Sequence, residues 1–162
     1  MVVVSFGLIL AGVLVAMFVI AYLTKRRFGV LGLALAAGAV ISTIWTDMAS
    51  GWLGSHDLNL DLGFQSGLAA AGLTLAPAML LLFSGPTYSG QLKRIVGAGL
   101  FALLAAAFMV QPIGSALVLT DEARQTYELI ESNRDLIIGI GLIVAIFDVF
   151  MTKTPKPPKS KH

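Results

Sequence analysis

The sequence predicts an all-α integral membrane protein with five transmembrane helices, its N-terminus outside and its C-terminus in the cytoplasm. The 162-residue chain is 57% hydrophobic and only 12% charged, whereas soluble domains carry about 25% charged residues. Five apolar segments are long enough to cross about 30 Å of hydrocarbon at about 1.5 Å per residue. The cations, moreover, are concentrated in alternate connections between these segments. These three observations favour a helical bundle whose solvent is lipid.

The predicted spans cover residues 2–23, 28–53, 66–84, 95–119 and 136–152. The first is an apolar run interrupted only by Ser5, with no cation before it and three cations after it. A secretory signal peptide carries its cations before the apolar run, so we interpret this segment as an uncleaved span. Pro77 and Pro112 lie inside the third and fourth spans, where a missing N–H predicts kinks.

The charges of the connections predict the orientation. Nine of the eleven Lys and Arg residues lie in residues 24–27, 85–94 and 153–162, which contain no acid. The connections 54–65 and 120–135 are acidic, and the positive-inside rule therefore places the three basic segments in the cytoplasm. The cations that flank the spans are the predicted topology anchors: Lys25, Arg26, Arg27, Lys93, Arg94 and Lys153.

Two segments outside the predicted spans have patterns of their own. Residues 120–133 carry apolar side chains at helical spacing between polar ones, which predicts an amphipathic helix on the outer interface. It serves either as a simple connection or as a lid or partner surface. Ser132 and Asp135 have the spacing of a capping box before the last span. The tail 153–162 combines three prolines with four lysines, which predicts a disordered, basic cytoplasmic segment.

Small residues at four-residue spacing predict close packing between helices. Lipid does not drive helices together, so association in a membrane depends on side chains that let two backbones approach. The stripes are Gly7 and Ala11; Ala34, Gly38 and Ser42; Gly63, Gly67 and Ala71; and Ala98, Ala102 and Ala106. They suit the interior of a bundle and a homo-oligomer interface equally well.

Polar residues inside predicted spans are functional candidates, because the membrane interior solvates charge poorly. Asp47 lies between Trp45 and Trp52, which indicates the outer interface. Asp148 lies near the inner end, within reach of Lys153, and the two spans offer these carboxylates no basic partner at depth. The kinks of the third and fourth spans have two interpretations. In one, Gln111 lies with Asp47 and Thr74 around an outward-facing cavity. In the other, the kinks serve only the packing of the bundle.

The residues that most enzyme chemistry requires are missing from this sequence. The chain has no cysteine, and both histidines lie outside the spans, so we expect no thiolate or histidine metal site. Phosphate-binding glycine loops, Ser/His/Asp sets and paired carboxylates are also missing. We therefore expect no catalysis and no cofactor. The basic residues are divided among three membrane-flanking segments, and we expect no nucleic-acid partner.

One family resemblance emerges from these segments. The stretch GLILAGVLVAMFVIAYLTKRRFGVLGLALAAGAVIS resembles the first two spans of the colicin V production (CvpA) family, with Arg27, Phe28 and Gly29 at the turn. LKRIVGAGLFALLAAAFMV resembles the fourth span of that family through Lys93, Arg94, Gly97 and Gly99. The resemblance covers residues 1–120, and it implies an inner-membrane protein linked to toxin export or envelope processes, without catalytic residues to carry over. A fifth span and a Lys/Pro tail depart from the family pattern.

Two functional hypotheses follow from the sequence. The first is an accessory or scaffold component of an export or envelope system in the bacterial cytoplasmic membrane, with lipid and other membrane proteins, or a second copy of itself, as partners. The alternative is a small oligomeric channel or transporter with Asp47 and Gln111 along its path. Five spans do not divide into two equal repeats, which argues against a transporter made from a single chain.

Overall fold

The computed structural model describes residues 6–54, 62–84, 87–88, 90–117 and 121–151, and this part of the chain is all-helical. The helices are α1 (Phe6–Thr24), α2 (Phe28–Gly54), α3 (Leu62–Ser84), α4 (Gln91–Ala116) and α5 (Asp121–Phe150). The described residues form no strand, and the one β-bridge among them joins Arg26 to Thr87. The predicted tail 153–162, its anchor Lys153 and most of the connection 54–65 lie outside the described residues.

Helices α1 to α4 are each long and apolar enough to cross a membrane. These four candidate spans make the chain compatible with a multi-pass membrane protein. Helix α5 is not among them. Its apolar stretch lies between Asp135 and Asp148 and is about 18 Å long at 1.5 Å per residue.

Helix α5 is continuous where the sequence analysis predicted a break. We expected an amphipathic helix over 120–133 and a separate span from residue 136, but one helix covers Asp121–Phe150. The Ser132 hydroxyl donates to the Leu129 carbonyl at 2.9 Å, as it does inside a helix, so the capping-box interpretation is wrong. No proline or glycine lies between Asp121 and Ile138, and nothing in that stretch interrupts helical hydrogen bonding.

Helix α4 is the central helix, and it contacts each of the other four. Its predicted small stripe, Ala98, Ala102 and Ala106, is buried, and so are the large side chains of Phe101 and Leu104. All of these except Ala106 join the apolar core, to which α1, α2, α3 and α5 also contribute. Because small and large residues alternate along α4, neighbouring helices approach on several sides at once.

Helices α2 and α3 are packed with their backbones in close contact. A side chain on Gly38 would overlap the Thr74 carbonyl and touch the Leu73 carbonyl. Pro77 has no N–H to offer the Leu73 carbonyl four residues earlier, so that carbonyl is left for the interface. Ser42, one turn beyond Gly38, donates its hydroxyl to the Ala70 carbonyl at 3.3 Å.

Glycines also bring α3 against the end of α4. A side chain on Gly67 would overlap the Pro112 carbonyl and the Ala116 side chain, and one on Gly63 would lie 3.0 Å from the Ser115 carbonyl. Of the remaining stripe residues, Ala34 is buried, Gly7 and Ala71 are half-buried, and Ala11 is exposed.

Candidate functional site

The connection between α1 and α2, the connection between α3 and α4, and the C-terminus of α5 lie together at one end of the bundle. Helices α1 and α3 end there, and α2 and α4 begin there. We call it the basic end, because it contains the predicted anchors Lys25, Arg26, Arg27, Lys93 and Arg94.

The turn between α1 and α2 is very tight. Lys25 has a φ of 57°, and its N–H donates to the Ala21 carbonyl at 3.1 Å, which closes the C-terminus of α1. Glycine is the usual residue in this left-handed conformation, because a side chain there costs about 1–2 kcal/mol. The Lys25 carbonyl accepts the Tyr88 N–H at 2.9 Å, so the two turns are hydrogen-bonded to each other.

Two arginines cap the C-termini of helices to which they do not belong. Arg26 donates from Nε to the Leu82 carbonyl at 2.8 Å and from Nη2 to the Phe83 carbonyl at 2.6 Å, which caps α3. Arg94 donates from Nε to the Tyr22 carbonyl near the end of α1, and its guanidinium lies 3.9 Å from the centroid of the Tyr22 ring. The last carbonyls of a helix have no partner within the helix, and a cation there also complements the helix dipole.

Arg27 and Asp148 form a reciprocal cap between α2 and α5. Their Nη2 and Oδ1 atoms are 3.1 Å apart, and the same Nη2 donates to the Asp148 carbonyl at 3.0 Å. The other carboxylate oxygen accepts the N–H of Gly29, in the first turn of α2, at 2.9 Å. The sequence analysis named Lys153 as the cation within reach of Asp148 and did not consider Arg27, which pairs with it among the described residues. The sequence separation of 121 residues explains why the sequence analysis missed this pair.

Tyr88 completes the cluster from the connection between α3 and α4. Its hydroxyl oxygen accepts the Phe28 N–H at 3.2 Å, and the Arg27 guanidinium lies 5.5 Å from its ring centroid. Burial raises the pKa of the Tyr88 phenol above its ordinary value, the Phe28 N–H lowers it, and hydrogen bonding and repulsion by Asp148 raise it further. The phenol therefore stays protonated at neutral pH.

A cavity of about 620 Å³ opens beside this cluster, and we call it the basic cavity. Its polar lining comes from the two connections, from the start of α4 and from the end of α5. Much of its apolar lining comes from successive turns of α4 and from α5. The lining residues are Arg27, Phe28, Thr87, Tyr88, Leu92, Lys93, Val96, Gly97, Leu100, Val144, Asp148 and Met151.

A second cavity, of about 370 Å³, lies among α2, α3, α4 and α5, and we call it the polar cavity. Most of its lining side chains carry a hydroxyl, an amide or a guanidinium: Ser42, Thr43, Thr46, Ser66, Thr74, Gln111, Ser115 and Arg134. Gln111 and Thr74 thus line one cavity, as one interpretation of the sequence expected. Asp47 does not line the polar cavity and is exposed on α2. The interpretation that placed Asp47 in the cavity is therefore wrong for this residue.

Arg134 is the charged residue of the polar cavity, and the sequence analysis did not place it there. The Nε atom of Arg134 is buried and has no hydrogen-bond partner among the described residues. It forms an ion pair with Oδ1 of Asp135, which lies 3.6 Å from it. We had assigned Arg134 to an outer connection. The residues of α5 that face the bundle recur every three or four positions. Counted back from Asp148 and Ala145, they include Gly141, Ile138, Arg134 and Tyr127. That periodicity was a signal that could have placed Arg134 in the bundle.

Tyr127 shows how far the bundle extends along α5. Its ring meets Phe6 edge to face at a centroid distance of 5.3 Å, and a side chain on Gly114 would overlap it. The N-terminal half of α5 therefore packs against the start of α1 and the end of α4. Tyr127 and Asp148 are separated by about 31 Å at 1.5 Å per residue, close to the thickness of the hydrocarbon core.

Comparisons with known proteins bring no match: no family model, no curated protein and no solved structure matches this chain. Within the described ranges, no three Asp, Glu or His side chains come together as a metal-ligand set. Interpretation of both cavities therefore rests on their own chemistry.

Proposed function

We propose that the protein is a non-enzymatic subunit of a membrane assembly and that it binds a partner through the outer half of α5. The observation that carries this proposal is a row of exposed polar residues on that half of the helix, which we call the charged face of α5. Its members are Arg124, Gln125, Glu128, Ser132 and Asp135. The Asp135 side chain is 92% exposed.

The depth of the charged face is what favours a protein partner over lipid. Glu128 and Asp135 follow Tyr127, which packs beside Phe6 at the start of the apolar helix α1. A charged side chain facing hydrocarbon costs about 2.5–3.5 kcal/mol on insertion scales. A polar surface of another membrane protein, or of a second copy, removes that cost by pairing the charges. Helix α1, by contrast, exposes Leu8 and Val15, which lipid solvates well.

We assign the basic end to the cytoplasm and the assembly to a bacterial cytoplasmic membrane, with α5 as a fifth span. The alternating charges of the connections support the orientation. The resemblance to the CvpA family supports an export or envelope system. Single cysteines at Ser55 and Ser160, tested with an impermeant thiol reagent on intact cells, check the orientation. Labelling at Ser160 and protection at Ser55 would reverse it.

The assembly proposal is tested by the mass of the complex extracted in mild detergent. We expect the parent chain in a complex heavier than one copy, and we expect Asp135→Lys to reduce it severalfold because it reverses the charge presented to the partner. Asp47→Lys is the matched control, because Asp47 is an exposed carboxylate on α2 outside the charged face. A parent chain that is monomeric, or two variants that assemble equally well, would contradict the proposal.

The polar cavity favours a second candidate function, a path for a small polar solute. Seven uncharged polar side chains and Arg134 line it, and a scaffold needs no such cavity. Flux measured in proteoliposomes separates the two functions. The assembly function predicts no flux and no effect of Asp47→Asn or Gln111→Leu. Robust flux that Gln111→Leu abolishes while the complex survives would instead establish the path.

A further inference from the structure

We propose that the basic cavity binds one anionic phospholipid, with its phosphate on Lys93 and an acyl chain along α4 and α5. This inference does not depend on the assembly function, which involves the other half of α5. It rests on the charge of the cavity, on the separation of its polar and apolar walls, and on the exposure of its rim.

The charge of the basic cavity is positive. Two cations, Arg27 and Lys93, and one acid, Asp148, line it. Asp148 is engaged by Arg27 and by the Gly29 N–H. The ion pairs among the described residues are Arg27–Asp148 and Arg134–Asp135, so Lys93 has no acid pairing with it in that part of the chain. A lysine at a membrane interface attracts an anionic headgroup.

The walls of the basic cavity divide by polarity along α4. Lys93 and Thr87 lie at one end, with the Tyr88 ring beside them. Val96 and Leu100, one and two turns further along α4, line the cavity together with Val144, one turn before Asp148 on α5. A ligand that fits this order has an anionic group at the basic end and an apolar body that extends along the helices. A phospholipid has that shape, whereas a free phosphate ion uses only the polar end.

The rim of the basic cavity is open to the surroundings of the bundle. Leu92 is 75% exposed, Val96 is 52% exposed and Met151 is 78% exposed. These apolar side chains lie where the lipid surrounding a membrane protein reaches them, so a lipid can enter from the side between α4 and α5.

Native mass spectrometry of the full chain in neutral detergent tests this inference. The chain is offered equal amounts of a phosphatidylglycerol and a phosphatidylcholine with the same acyl chains. We expect a one-lipid adduct in which the anionic lipid predominates about fivefold, the preference that one lysine contributes. Lys93→Gln should remove this preference, and Lys93→Arg should keep it. Lys25→Gln, which neutralises an exposed cation of the basic end that does not line the cavity, should leave it unchanged.

Three outcomes would overturn the inference. Equal adducts of the two lipids in the parent chain would show that charge does not select the ligand, whatever the variants do. An unchanged preference in Lys93→Gln would place the lipid elsewhere. Displacement of the anionic lipid by excess inorganic phosphate would identify a site for the free ion, because a lipid held along Val96 and Leu100 resists a competitor that lacks an acyl chain.

Discussion

Arg27 and Arg134 are two arginines with similar burial and very different surroundings. Their side chains are 17% and 21% exposed, and in both the Nε atom is buried without a hydrogen-bond partner. Arg27 nevertheless binds the Asp148 carboxylate and the carbonyl of the same residue. Among the described residues, the ion pair of Arg134 is with the exposed Asp135, at 3.6 Å. The comparison indicates that the Arg27 guanidinium is held by contacts between two helices, whereas the Arg134 guanidinium pairs only with its neighbour in the chain among these residues.

The largest expected effect comes from removing the carboxylate at the basic end. Asp148→Ala should lower the free energy of unfolding by about 2–3 kcal/mol, because it leaves the Arg27 charge and the Gly29 N–H unpaired. Thermal or denaturant unfolding in mild detergent measures the loss. Asp135→Ala is the control and should change stability by less than about 0.5 kcal/mol. Equal losses would mean that the two arginines do not differ in the way the comparison claims.

The next largest change in the free energy of unfolding is expected where α2 packs closely against α5. A side chain on Gly29 would touch the Ala145 carbonyl and the Asp148 carboxylate, so Gly29→Ala should destabilise the protein by about 1–3 kcal/mol through overpacking. Gly12→Ala is a matched control on α1, where nothing lies within 4 Å of the added carbon. It should stabilise the helix by about 0.5–1 kcal/mol. The same unfolding assay checks both, and a shift of the same sign in both variants would contradict the packing argument.

Arg134→Leu sharpens the comparison from the other side. A poorly paired, partly buried charge contributes little to stability, so its replacement should leave the free energy of unfolding unchanged or raise it by about 1 kcal/mol. If the assembly function uses Arg134, the variant should bind the partner less. If the solute path uses Arg134, flux through the polar cavity should fall. A loss of stability as large as that of Asp148→Ala would show that Arg134 is a structural residue like Arg27.

The smallest effect concerns the left-handed turn. Lys25→Gly should stabilise the fold by about 0.5–1 kcal/mol, because glycine adopts a positive φ without the steric cost of a side chain. The unfolding midpoint in detergent detects this change. Ala37→Gly, at an exposed position in the middle of α2, should instead destabilise by about 1 kcal/mol. Destabilisation by Lys25→Gly would mean that the lysine side chain contributes more than its conformation costs.

The sequence by itself determined the helical class, the four candidate spans and the approximate positions of the turns, because each depends on local composition. Apolar runs at this length form helices whatever their neighbours are, since every backbone group must find its hydrogen bond within the segment. The same logic failed at α5, where a change in polarity at residue 135 was taken for the end of a helix although no residue there interrupts one.

Only the tertiary structure decided which polar groups meet. The Arg27–Asp148 pair joins residues 121 positions apart, and the arginine caps on α1 and α3 join residues separated by 72 and 56 positions. Such contacts depend on the rotation of each helix about its axis and on its register against its neighbours. These are set by small residues such as Gly38 and Gly67 at the interfaces, and spacing along one chain does not specify which partner helix each of them meets.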